Sequence, residues 1–169
     1  MLKVMQKVFV VGMSKELGMT AASIRRVFPC LDELLTLHCS FLWRLRQRQR
    51  DNRYIATIGD LLLEQFVGDN AQGFKDAYGV FCSHHQDAVS FFKDLCKTDR
   101  RFNAFIHQRY SHPLMKKKGI PECILFMTHR ITKYPLMIEA IIKYSRDQQE
   151  ETATLRRALH NIKVNMQLG

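Results

Sequence analysis

Ile120-Pro121-Glu122-Cys123-Ile124-Leu125-Phe126-Met127-Thr128-His129-Arg130-Ile131-Thr132-Lys133-Tyr134-Pro135-Leu136-Met137-Ile138 has apolar residues at Ile120, Ile124, Met127, Ile131, Tyr134 and Ile138, in steps of four and three that continue to Ile141. That is the period of an α-helix turning one narrow seam to a core, whereas a strand would alternate. Pro121 suits the first helical turn, where a missing N–H costs nothing. Pro135 stands inside the pattern, where a proline removes one backbone hydrogen bond and costs roughly 3 kcal/mol in a regular helix, so a kink is expected there. Beside the seam runs a second stripe: Phe126, Arg130, Lys133, Met137 and Ala140.

The helical period recurs on both sides of this stretch. Downstream, a last helix from about Glu150 carries Leu155, Leu159, Ile162 and Met166. Upstream, Lys116-Lys117-Lys118-Gly119 forms a basic connector, and Pro113 ends a helix that shows Phe102, Phe105, Ile106 and Tyr110 on one face with Asp99 as its N-cap. Before it, Phe74, Tyr78, Phe81, His85, Val89, Phe92 and Cys96 mark a long core-facing helix, and a shorter one runs from about Ile58 to Phe66. Leu31, Leu34, Leu35, Phe41, Leu42 and Leu45 mark another, with His38 on the same stripe. This helix turns basic at Arg44, Arg46, Arg48, Arg50 and Arg53, read as a solvated end complementing the helix dipole or, more sharply, as a patch for phosphate or an acidic protein. The chain opens with a helix from Met1 to about Leu17, with Val4, Val8 and Val11 on one side, and a short turn or helix follows from Thr20 to Phe28-Pro29.

Composition narrows the function. The chain has 169 residues, 26 Lys and Arg against 16 Asp and Glu, a net charge of +10 and 46% hydrophobic residues. So much apolar area excludes a disordered polybasic tail. Only 8 Gly and 4 Pro, with no linker or repeat, point to one all-α domain of residues 1–169. No apolar run approaches the ~18 residues of a membrane span, and no cleavable leader is visible, so a soluble intracellular protein is expected. The five cysteines lack a CxxC pair and read as reduced thiols; Cys82-Ser83-His84-His85 has no second pair at zinc spacing. No Gly-rich phosphate loop, nucleophile elbow or H-E-x-x-H pair is present, and neighbours such as Glu150-Glu151 point apart on a helix, so neither an enzyme nor a zinc site is expected. A nucleic-acid binder would rest on charge alone, without a recognisable motif.

Gly119-Ile120-Pro121-Glu122-Cys123-Ile124-Leu125, followed by His129-Arg130-Ile131-Thr132-Lys133-Tyr134-Pro135-Leu136, resembles the third conserved region of Dbl homology domains, the exchange modules that act on Rho-family GTPases. Phe28-Pro29-Cys30-Leu31-Asp32-Glu33-Leu34-Leu35 with His38 is similar to the Lbc/Lfc-like, RhoA-directed branch. Ile58-Gly59-Asp60-Leu61-Leu62, Tyr78 with Phe81-Cys82, and Arg100-Arg101-Phe102-Asn103-Ala104-Phe105-Ile106 resemble the intervening segments. The resemblance covers essentially the whole chain.

It implies an elongated bundle of about six helices that grips the switch regions of a Rho-family GTPase, RhoA preferred, and disorders its magnesium and phosphate sites so that GDP leaves. The factor makes no covalent bond and needs no cofactor. By the family pattern Lys133 faces the second switch, and Arg130 and Met137 extend the contact one turn to either side. Lys116, Lys117 and Lys118, like the Arg44–Arg53 run, are candidates for acidic GTPase residues, an anionic membrane surface or plain solvation. A cytoplasmic location, with membrane or cytoskeletal association, follows from the resemblance. The family's first-helix Glu falls before Met1 and its last-helix Asn or Asp just beyond Gly169, and no pleckstrin homology domain follows. The expectation drawn from this is a chain that binds RhoA weakly, exchanges poorly and frays at both ends; the alternative is an exchange-impaired Rho-binding or scaffold fragment.

Overall fold

Asp99 shows how closely local chemistry sets the helix boundaries. Its carboxylate accepts hydrogen bonds from the backbone N–H groups of Arg101 (2.8 Å) and Phe102 (3.0 Å), ending one helix at Thr98 and opening the next at Arg100. The computed structural model describes residues 1–51, 54–115 and 118–166. Among them the helices are α1 (Leu2–Met5), α2 (Val11–Lys15), α3 (Ala21–Val27), α4 (Leu31–Asp51), α5 (Gly59–Gln65), α6 (Gly68–Thr98), α7 (Arg100–Tyr110), α8 (Ile120–Tyr144) and α9 (Gln149–Met166), with a 3₁₀ turn at Pro113–Met115 and no strand. The fold is all-α, as the periodicity requires. A π-helical turn, Gln6–Val10, divides the expected first helix into α1 and α2, and the short segments expected near Thr20 and Ile58 form α3 and α5, of 7 residues each, so the segments outnumber the roughly six of the bundle.

The π turn also corrects the buried side of the first helix. Leu2, Met5, Val8, Phe9 and Met13 are buried, whereas Val11 is exposed and Val4 only partly covered. A π turn holds an extra residue, so both Val8 and Phe9 reach the core, and the larger side chains choose the face over the valines. Gly12 continues this side, where a Cβ would come within 2.5 Å of the Phe105 ring, so only glycine permits the approach.

The helices group into two compact units. The first comprises Met1–Leu35 and Val80–His129, the second Thr36–Gly79 and Arg130–Gly169. The first unit has a core of hydrocarbon and sulfur: Phe9 against Phe28, Phe92 edge-on to Phe102, and Met13, Met115, Ile120, Ile124 and Met127, all buried. Its polar ties lie outside that core. Arg26 donates in a fork to Asp87 at 2.8 and 2.9 Å while lying over the Phe91 ring, and Arg109 pairs with Glu16.

The second unit places polar groups inside. Glu151 on α9 is buried, and its Oε1 accepts hydrogen bonds from the backbone N–H groups of Ile58 (2.8 Å) and Gly59 (2.9 Å). It thus caps α5, whose own N-cap, Ile58, offers no side-chain acceptor. Gly59 allows this contact, since a Cβ there would sit 2.8 Å from Glu151 Oε2. From α4, Arg44 pairs with Glu64 (2.6 Å), and Arg48 pairs with Asp60 while donating to the Thr57 carbonyl at 2.9 Å. Two of the five arginines, Arg44 and Arg48, are therefore structural, where the sequence suggested a solvated end; Arg53 lies outside the described residues. The Lys163 ammonium on α9 reaches Glu139 on α8 at 2.7 Å.

Candidate functional site: the outer face of α8

α8 begins where expected, with Pro121 and Glu122 in its first turn, the latter complementing the positive end of the helix dipole. The seam residues Ile120, Ile124, Met127, Ile131, Tyr134 and Ile138 are all buried, and α8 runs through Pro135 to Tyr144. The opposite face is open. Lys133, Leu136, Met137 and Ala140 are exposed, Leu136 at 64% and Met137 at 59%. Lys133 and Met137 are one turn apart, so one cation and two large apolar side chains share about 6 Å of exposed helix. That combination suits an interface core, where a cation meets a carboxylate amid excluded water.

Arg130 is arranged differently from Lys133. It is partly buried, its guanidinium carbon lies 5.6 Å from the Tyr134 ring centroid, and its Nε is buried without a hydrogen-bond partner among the described residues. Tyr134 in turn is buried and stacks on His38, centroids 6.3 Å apart and planes 5° from parallel. Phe66 and Phe74 meet Tyr134 edge-on at 5.7 and 5.9 Å. The helix turn that presents Lys133 is thus held from beneath by an aromatic cluster.

A polar chain runs through that cluster. His38 Nδ1 lies 3.2 Å from the Tyr134 hydroxyl and Nε2 lies 2.7 Å from the Tyr78 hydroxyl. Burial, with Arg130 adding charge repulsion, pushes the imidazole pKa down to about 4, so His38 is neutral at pH 7. A neutral imidazole has one N–H and one lone pair, so one tyrosine donates to it and the other accepts. Burial raises the Tyr134 pKa and Arg130 partly offsets the rise.

Of the residues singled out from sequence, Lys133 and Met137 share the open face and Arg130 supports it from the side. Lys118 is exposed in the connector, and Lys116 and Lys117 lie outside the described residues. Leu136 belongs to the face but escaped sequence reading; its signal was its position off the seam, next to Pro135. Among the described residues, no three His, Cys, Asp or Glu side chains come together as metal ligands. All five cysteines are free thiols, and burial pushes Cys123 up to about 11. No helix among the described residues is long and apolar enough to cross a membrane.

Comparison with known proteins bears on this geometry. The profile of the RhoGEF domain matches residues 1–167. The chain is 42% identical over 167 residues to Rho guanine nucleotide exchange factor 28 of Homo sapiens, covering 95% of this chain and 10% of that protein. It is 39% identical over 170 residues to Rho guanine nucleotide exchange factor 2 of Rattus norvegicus, covering 96% and 17% respectively. The chain therefore spans less than a fifth of the length of these relatives. Among solved structures it is similar to the DH/PH fragment of PDZRHOGEF crystallised in complex with human RhoA, with a TM-score of 0.90 and 29% identity over 98% of this chain and 46% of that one.

Proposed function

Since the chain belongs to the RhoGEF domain family, we propose that residues 1–169 form one Dbl homology domain that promotes GDP release from a Rho-family GTPase, RhoA in preference, in the cytoplasm. The observation that carries the reading is the open face of α8, where Lys133 and Met137 stand one turn apart beside Leu136, with Arg130 at the flank. Support for RhoA comes from the similarity to a DH/PH fragment solved as its complex. No bond is made or broken. The domain binds the nucleotide-free GTPase more tightly than the nucleotide-bound form, and reciprocity of coupling then weakens nucleotide binding by the same factor. Lys133 supplies the charge for a switch carboxylate, and Met137 and Leu136 cover the apolar surroundings.

The test measures release of a fluorescent GDP analogue from RhoA, together with binding of the chain to nucleotide-free RhoA. Acceleration of release and preference for the nucleotide-free form are expected. Equal affinity for both forms, or no binding to either, overturns the reading.

A further inference from the structure

The arginine run of α4 separates into two pairs. Arg44 and Arg48 are paired with Glu64 and Asp60. Arg46 and Arg50 are exposed and find no hydrogen-bond or ion-pair partner among the described residues. At 100° per residue, Arg46 and Arg50 share a third of the helix circumference with Leu42, Trp43 and Gln49. All five are exposed, and no carboxylate stands on that sector between residues 36 and 51.

Trp43 is the only tryptophan of the chain and is 61% exposed, with Leu42 beside it at 44%. Tryptophan is highly buried on average, so an indole held in water on a helix face is the feature that needs an occupant. Two cations without a partner among the described residues flank it, which makes that occupant anionic. An indole with cations on one helix face fits the boundary of a bilayer, where the ring enters the headgroup layer and the guanidiniums meet phosphates. The charge of the whole chain, +10, adds long-range attraction to an extended anionic plane. The sector is not part of the face assigned to the GTPase: His38, on the inner side of α4, stacks on Tyr134 of α8, and Trp43 lies about 140° around the helix from His38.

We propose that the outer sector of α4, formed by Leu42, Trp43, Arg46, Gln49 and Arg50, docks on an anionic phospholipid bilayer. Trp43 sits in the headgroup layer and Arg46 and Arg50 contact lipid phosphates. The inference stands on α4 alone and does not depend on the exchange reading.

Because Trp43 is the sole indole, its emission reports the contact directly. With the full chain, vesicles of phosphatidylcholine containing phosphatidylserine are expected to shift the emission to the blue and to co-sediment the protein, and pure phosphatidylcholine vesicles to do neither. The double variant Arg46→Gln, Arg50→Gln is expected to bind the anionic vesicles about 30-fold more weakly, from about fivefold per cation near a charged surface. Trp43→Ala, followed by sedimentation, is expected to lose about tenfold. Both variants keep wild-type helicity, since all three side chains are exposed. Absence of a shift with anionic vesicles, or an equal shift with neutral ones, overturns the proposal. Sedimentation unchanged in both variants does so as well, by placing the lipid contact elsewhere. An equal shift with soluble polyglutamate overturns it in favour of an acidic protein partner.

Discussion

The two units solve the same packing problem with different chemistry. The first, around Phe92, Phe102 and Met13, buries hydrocarbon and sulfur and keeps its ion pairs outside; the second buries Glu151 and a Tyr78–His38–Tyr134 chain as well as its leucines and isoleucines. Apolar packing is tolerant of small shifts, whereas a buried hydrogen-bond chain fixes the rotation of each ring it joins. The unit that displays Lys133 is the one whose supporting turn is fixed in this way. Its cost is sensitivity to protonation, which the first unit's core does not share.

The largest expected effect breaks the first unit. Phe102→Ala removes a buried ring packed against Phe92 and should cost about 3–5 kcal/mol by urea unfolding, with the same loss at pH 7 and pH 5. A loss that grows at the lower pH would contradict a purely apolar role.

The second unit should instead respond to pH. His38 has an ordinary pKa of 6.5 and a folded value near 4, so the unfolded chain takes up a proton first as pH falls. Its contribution is fully present above pH 6.5 and is lost progressively down to pH 4, reaching about 3 kcal/mol over that window. Asp60 and Asp87, held below their ordinary 3.8 by hydrogen bonds from Arg48 and Arg26, lose their contributions only at lower pH. His38→Gln should flatten the dependence between pH 6.5 and 4, as read from urea midpoints at several pH values. An unchanged slope would remove His38 as its source. Next in size, Glu151→Ala leaves the N–H groups of Ile58 and Gly59 without their acceptor and should cost about 2 kcal/mol, with amide exchange rising first at the start of α5. Exchange rising evenly along the chain would argue against a local cap.

How much of this was legible depended on the distance between partners. The α8 seam and the Asp99 cap could be read because each is set within one or two helical turns. The face of the first helix could not, since a single π turn at Gln6–Val10 overrode the spacing of Val4, Val8 and Val11. Glu151 read as half of an idle acidic pair because the backbone it caps lies 93 residues away for Ile58. The arginines of α4 read as one solvated helix end or one basic patch, whereas Asp60 and Glu64 on another helix claim Arg48 and Arg44. Within the candidate site, the stripe of Arg130, Lys133 and Met137 could be read from its spacing, but it could not show that Arg130 leans onto Tyr134 while Lys133 is exposed.

The smallest effect on stability accompanies the most informative effect on function. Lys133→Ala, at an exposed helical position, should change unfolding free energy by less than about 0.5 kcal/mol. Measured as release of fluorescent GDP from RhoA by the otherwise unchanged chain, the same substitution is predicted to slow exchange about tenfold or more at equal helicity, because a carboxylate in the interface loses its cation. Exchange at the wild-type rate would contradict the assignment of the outer face of α8 as the GTPase-binding surface.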